Sequence, residues 1–304
     1  MKDYKDIWDN LSTNFDNATF YVCCISDEDG IRSNGQLTAD FLKQVLQITP
    51  EDRVLEIGCG VARIGRELAP FCGEWHGADI SGNMIAHAKE RTQGMPNVFL
   101  HEQPDSTLSI FPDGYFDCVY SSIVFMHLDK LDMFTYIRDA YRVLAPGGRA
   151  YFDTYNLLAP EAWQEFLKTL DEFPPDHRPG HVSQFSTPQE MRKFMEEAGF
   201  EGVHVDGENS PQLVVTLGRK PGEPGAERPP FELRAKPGKK REQPPDLRAA
   251  LLDQKQYIEH LEKTVAIKNE HIEKMERLVR RQEKAIARVS STFGHRIRRI
   301  LRRK

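Results

Sequence analysis

Residues 54–65 read VLEIGCGVARIG, and fourteen residues further on Asp79-Ile80-Ser81 closes a second apolar run. The segment RVLEI (53–57) is rich in aliphatic and β-branched residues and predicts a strand. A strand that ends in Glu-x-Gly-x-Gly predicts a tight turn into a helix. Gly58 and Gly60 remove side chains where the backbone bends and a ligand must approach. A helix is expected from about Ala62, its N-terminal amides turned toward negative or partly negative ligand atoms. Asp79, at the end of the second strand, is placed to accept hydrogen bonds from a ribose diol. Glycines at 58, 60 and 65 depart from the GxGxxG spacing of a dinucleotide site, and Glu56 is a poor neighbour for a pyrophosphate. A cationic ligand tolerates that carboxylate, so a sulfonium nucleoside fits better than a dinucleotide.

Outward from this turn, EWHGA, NVFLH, DCVYS and RAYFDTY are further strand candidates, alternating with ARIGRELAPF, GNMIAHAKER and KLDMFTYIRDAYRVL as helices. Such alternation predicts an α/β fold with a parallel sheet covered on both faces. APGG (145–148) stops a helix before RAYFDTY. Thr187-Pro188-Gln189-Glu190 supplies an N-cap, a proline at the first helical position and a carboxylate at N3, so a helix is expected to about Ala198, with Gly199 ending it. VHVDG and QLVVTLG read as a closing antiparallel pair. Residues 1–50 read as helical and irregular, and DEFPPDHRPGHVSQ (171–184) as a long insertion of the kind that forms binding loops.

The formal net charge of -5 hides an asymmetry. Residues 1–217 hold 17 Lys+Arg against 34 Asp+Glu, whereas the remainder holds 24 against 12. Two parts with different partners are expected, the acidic one being a poor nonspecific phosphate binder. Residues 218–246, dominated by proline, glycine and charge, predict an extended linker. Beyond it Leu251, Ile258, Val265, Ile272, Val279, Ile286 and Phe293 recur every seven residues, which predicts a coiled coil over 247–292 and a homodimer through it. Residues 293–304 form a basic amphipathic tail, with Ile297, Ile300 and Leu301 among arginines, suited to an anionic membrane interface. The five cysteines lack paired metal-ligand spacing and predict reduced thiols. MKDYKDIWDN is acidic without an apolar core segment, and no long apolar window occurs, so a cytoplasmic protein is expected, peripheral on the membrane's inner face if the tail docks there.

Residues 53–217 resemble the class I S-adenosylmethionine-dependent methyltransferases. VLEIGCGVARIG is similar to the family's first motif and GADIS to its acidic second-strand end. FDCVYSSIVFMHL is similar to the segment around the fourth strand, and LAPGG to the turn before the fifth. The resemblance implies a Rossmann-like, seven-stranded sheet and S-adenosyl-L-methionine as cofactor. By the same resemblance Glu56, Gly58 and Gly60 line the methionine part, Asp79 binds the ribose hydroxyls and Met84 packs near the adenine. Cys59, Ile80 and Ser121 belong to the implied cofactor set. Where the family often places an acidic residue before glycine, this chain has HEQPDSTL, with Gln103 or Asp105 as substitutes.

The implied reaction is an in-line displacement at a sulfonium methyl, in which positioning supplies much of the rate. His127, just beyond the fourth strand, either accepts the nucleophile's proton or packs the following helix. Asp153 and Tyr155, at the fifth strand end, are further pocket candidates. The chain has no Asn/Asp-Pro-Pro-aromatic run after strand four, no Pro-Cys nucleophile and no paired glutamates of the arginine methyltransferases. These absences speak against a nucleic-acid acceptor and leave a small molecule, lipid or sugar with an oxygen or nitrogen nucleophile. No motif implies a metal. The coil and tail resemble those of bacterial surface-polysaccharide methyltransferases, which implies a glycan acceptor and docking to a membrane or a polysaccharide-assembly partner. An assembly module with methylation secondary or lost, and a nucleic-acid methyltransferase using its tail as a phosphate clamp, stay open as alternatives.

Overall fold

Val54, Leu55 and Ile57 are almost wholly buried, which is what a strand in the middle of a two-sided sheet requires. They lie on β1 (Arg53–Ile57). The computed structural model describes residues 4–222 apart from 24, 26, 176, 177 and 211. The proposed coiled coil, the basic tail and all but the first residues of the linker lie outside the described residues.

Around β1 are β2 (Glu74–Asp79), β3 (Val98–Glu102), β4 (Phe116–Ser121) and β5 (Leu144–Asn156), all parallel to one another. Two further strands, β7 (Glu201–Asp206) and β8 (Leu213–Arg219), complete the order β3-β2-β1-β4-β5-β8-β7, with β8 antiparallel to both of its partners. This is a Rossmann-like α/β sheet. An eighth strand, β6 (Phe185–Ser186), pairs with β5 directly after the insertion at 171–184. The chain builds outward from β1 through β2 to β3 and then returns to start β4 on the other side. The carboxyl ends of β1 and β4 therefore flank a crevice, the place where such sheets bind ligands.

Alternation along β1 decides which layer each residue enters. Leu55 and Ile57 join Phe116, Phe125, Phe152 and the apolar side of α6 (Lys130–Val143). Val54 joins Leu42, Leu46, Trp75 and Tyr120 under α3 (Glu28–Val45). The expected helix from Ala62 is shorter than its sequence suggests. Ala62 itself has φ +56°, and α4 spans only Gly65–Leu68 before a 3-10 turn at Ala69–Phe71. Two N-terminal helices, α1 (Tyr4–Leu11) and α2 (Phe15–Cys23), precede this layer. In α5 (Gly82–Arg91), Ser81 caps the first turn by accepting from the Met84 amide. The helix α7 (Pro160–Glu172) was not evident from sequence, while α8 (Pro188–Ala198) has the expected Thr187 cap and a left-handed Gly199. The sheet runs two residues past the expected domain end at 217, and Lys220 donates to the Tyr141 and Leu144 carbonyls. No helix among the described residues is long and apolar enough to cross a membrane.

Candidate active site

The turn after β1 is built by hydrogen bonds to the end of β2. The amides of Gly58 and Cys59 both donate to the Ala78 carbonyl, at 2.7 and 3.0 Å. The Gly60 amide donates to Asp79 Oδ2 and the Ser81 amide to Asp79 Oδ1, each at 2.9 Å. Gly58 and Gly60 hold φ of +71° and +52°, which a side chain would strain. A Cβ on Gly58 would meet Val124 at 2.5 Å, and one on Gly60 would meet Val22 at 2.9 Å. Burial pushes the Asp79 carboxyl up to about 6, against the pull of the Ser81 and Gly60 amides. Each carboxylate oxygen accepts one of these bonds and keeps a lone pair for another donor. A fixed acceptor beside bare backbone fits a ribose diol.

Gly58, Gly60, Asp79, Ile80, Met84, Gln103 and His127 all line the cleft above this turn. The structure does not bring the other sequence candidates there. Glu56 shares the face of Val54, so it points into the α3 layer and takes the Tyr120 hydroxyl at 2.6 Å, while Trp75 Nε1 donates to that hydroxyl in turn. Burial pushes the Glu56 carboxyl up to about 8, with Tyr120 and Arg63 opposing. Cys59 is buried against Trp75 in the same layer. Ser121 donates to the Ile57 carbonyl at 3.1 Å and ties β4 to β1. Asp105 is exposed and bonded to the Thr107 hydroxyl, and its neighbour Ser106 lines the cleft instead. Gln103 is fastened through its amide to Asp79 O and through Nε2 to Thr107 O.

Sequence reasoning missed the cover. Tyr4, Trp8, Tyr21 and Val22 on α1 and α2 line the cleft from above. Helix α1 bridges it, since Lys5 Nζ reaches Glu102 at 2.6 Å while the Tyr4 hydroxyl accepts the Asp129 amide at 3.0 Å. Asp9 holds the Ser81 hydroxyl at 2.7 Å. The amphipathic spacing of Tyr4, Trp8 and Leu11 was the available signal.

A second cavity, of about 570 Å³, opens beside the cleft at the ends of β4 and β5. Tyr21, Val22, Ser122, Ile123 and His127 line both. Asp153 and Tyr155 lie in this second cavity, with Arg63 and Phe41. Asp153 is buried and accepts three bonds, from the Ile123 amide at 2.6 Å and from the Ser122 and Tyr151 hydroxyls at 2.9 Å. Burial raises its carboxyl above the ordinary range, with these donors opposing. Tyr155 stacks on Phe185 of β6 at 5.3 Å. His127 Nδ1 lies 3.1 Å from the His181 carbonyl, and its ring meets Trp8 edge-on at 5.0 Å. Among the described residues no group of three His, Cys, Asp or Glu side chains could hold a metal ion.

Sheet order, the glycine turn and the carboxylate that ends β2 are joined by the comparisons with known proteins. Residues 54–148 match the family model described as a methyltransferase domain. The matched residues thus form a methyltransferase domain. It is 33% identical over 148 residues to phosphoethanolamine N-methyltransferase 1 of Zea mays, covering 47% of this chain and 29% of that protein. It is 27% identical over 145 residues to phosphoethanolamine N-methyltransferase of Plasmodium falciparum, covering 47% of this chain and 54% of that one. The chain thus spans well under two thirds of these relatives. Among solved structures, magnesium protoporphyrin IX methyltransferase of Synechocystis with bound S-adenosylhomocysteine aligns over 71% of this chain and 97% of its own. The TM-score is 0.53 at 20% identity. Phosphoethanolamine N-methyltransferase 2 of Haemonchus contortus aligns over 73% of this chain and 61% of its own, with a TM-score of 0.55 at 18% identity. At these identities the likeness is one of fold.

Proposed function

We propose that the chain moves a methyl group from S-adenosylmethionine, bound in the cleft over Gly58, Gly60 and Asp79, to a hydroxyl or amine of an acceptor in the second cavity. One observation supports this above the rest. The two cavities share a wall at Ser122, Ile123 and His127, so ligands in both would meet there. When bound, the cofactor supplies an electrophilic methyl on a sulfonium. The protein's part is to hold both reactants in line, keep water out and take up the acceptor's proton.

His127 suits the last task. A carbonyl can only accept, so the contact with His181 O places the hydrogen of a neutral ring on Nδ1 and the basic lone pair on Nε2. Trp8 and the His181 carbonyl fix how the ring is turned.

For the acceptor, the heptad segment and basic tail support a glycan hydroxyl presented near a membrane or an assembly partner, by a chain paired through its coil. The relatives named phosphoethanolamine N-methyltransferase support an amine instead. Transfer of labelled methyl from S-adenosylmethionine to a panel of extracted glycans, lipids and phosphobases decides between them. Failure of the full chain to bind S-adenosylmethionine or S-adenosylhomocysteine by calorimetry would refute the reading as a whole.

A further inference from the structure

Arg63 is a buried charge without an ion pair among the described residues. It is only 5% exposed, yet it lines the second cavity. Gly35 of α3 packs so closely on the Arg63 carbonyl that no Cβ would fit, which fixes the backbone from which the side chain departs. Its Nη1 donates to neutral oxygens, Asn34 Oδ1 at 2.5 Å and Thr38 Oγ1 at 3.2 Å. Its Nε is buried without a partner. Among the described residues no carboxylate lies within ion-pair distance of the guanidinium. The two buried acids with which it interacts electrostatically are engaged elsewhere, Asp153 by Ile123, Ser122 and Tyr151, and Glu56 by Tyr120.

A buried guanidinium held only by neutral groups is costly, and buried charges are ordinarily paired. The guanidinium that lines the cavity is a planar fork, the shape that matches a carboxylate or a phosphate, although Nε itself is closed off from solvent. The rest of the chamber speaks to the ligand's body. Phe41 and Tyr151 meet edge-on at 5.8 Å, Tyr155 stands on Phe185, and Met126 and Leu213 add apolar wall. A volume of about 570 Å³ falls in the range of pockets that enclose drug-sized ligands and far exceeds the needs of a phosphate with a two-carbon amine.

Resting on the reading that this cavity seats the methyl acceptor, we infer that the acceptor is a ring-bearing acid. Its carboxylate or phosphate completes Arg63, its ring lies among Phe41, Tyr151 and Tyr155, and its nucleophile reaches the wall at Ser122 and His127. The contrast with a small phosphobase is the ring.

Calorimetry on the full chain, with S-adenosylhomocysteine present, tests this with four probes: benzoate against benzamide, and phenyl phosphate against inorganic phosphate. Benzoate or phenyl phosphate should bind at least ~10-fold more tightly than its comparator, and the stronger of the two tells carboxylate from phosphate. Arg63→Met should erase the preference of benzoate over benzamide while S-adenosylhomocysteine affinity stays within about twofold, and Arg63→Lys should restore only part of it. Equal binding of benzoate and benzamide together with equal binding of the two phosphates, or no binding of either ring acid at about 10 mM, overturns the inference in the wild-type chain, whether or not Arg63→Met folds. A chain that prefers the ring acids yet ignores S-adenosylhomocysteine would sink the methyltransferase reading and leave the acid site standing.

Discussion

Ile123 holds a left-handed backbone with φ +63°, and its amide donates to Asp153 Oδ1 at 2.6 Å. A β-branched residue adopts this conformation only when its surroundings impose it, at a cost on the order of 1–3 kcal/mol. Asp153 is what imposes it, because the same carboxylate also takes the hydroxyls of Ser122 and Tyr151. The loop where the two cavities adjoin is therefore held by one buried acid rather than by its own preferences.

This arrangement separates two substitutions at Asp153. Alanine leaves three donors without their acceptor and should cost about 3 kcal/mol of stability. Asparagine keeps an acceptor oxygen for the Ile123 amide and offers its NH₂ to the hydroxyls, which can turn to accept, so about 1 kcal/mol is expected. Urea unfolding of both variants checks the order. Equal losses would mean that the carboxylate does not organise this loop.

Gly58 is constrained twice, by its positive φ and by Val124. Gly58→Ala should lower stability by about 1–3 kcal/mol and weaken S-adenosylhomocysteine binding at least tenfold. Adding Val124→Ala removes the clash but not the backbone strain, so the double variant should recover only part of each loss. Full recovery of binding would show that space alone, and not the shape of the turn, is what the ligand needs.

Glu56 gives a pH dependence with a definite sign. Its carboxyl is pushed up to about 8 in the folded protein from an ordinary 4.5. Between those values the folded chain keeps a proton that the unfolded chain has released. Its contribution to stability is therefore fully present at low pH and is lost as pH rises through the window, with a slope of up to about 1.4 kcal/mol per pH unit. Glu56→Gln keeps an acceptor for Tyr120 and removes the titration. Unfolding free energies at pH 5, 6.5 and 8 should fall more steeply in the wild type than in the variant. Parallel trends would show that Glu56 is ionised in the folded state.

The sheet was largely legible because its strands are short, β-rich and bounded by ordinary breakers, and Gly58, Gly60 and Asp79 owe their places at the cleft to backbone geometry that their own sequence implies. Side-chain direction was not legible in the same way. Glu56, Cys59 and Ser121 sit one residue from positions that reach the cleft, and their places on β1, in the turn and at the end of β4 send them into the core instead. Residues from distant elements were the least visible. Tyr4, Trp8 and Tyr21 reach the cleft only because α1 and α2 cross it, and Arg63 stands out only once Asn34 and Thr38 are seen as its partners. For α7 a signal was present, since Pro160 opens the helix and Trp163, Phe166, Leu167 and Leu170 follow at helical spacing, a pattern that the proline-rich insertion after it obscured.

His127 has two jobs that one substitution can separate. Its Nδ1 contact with the His181 carbonyl holds the wall of both cavities, and its Nε2 is the proposed proton acceptor. His127→Asn places an amide N–H near the position of Nδ1 and offers no basic nitrogen. If the ring serves only as an anchor, this variant should transfer methyl at close to the wild-type rate, while His127→Ala should be impaired. If the ring takes the proton, both variants should lose on the order of 10²–10⁴ in kcat, with S-adenosylhomocysteine affinity within about threefold. The second outcome is expected, because His127 lines both cavities and its Nδ1 faces a carbonyl that can only accept. Single-turnover transfer of labelled methyl to the acceptor identified by the panel is the measurement, and an active His127→Asn enzyme would end the case for a histidine base.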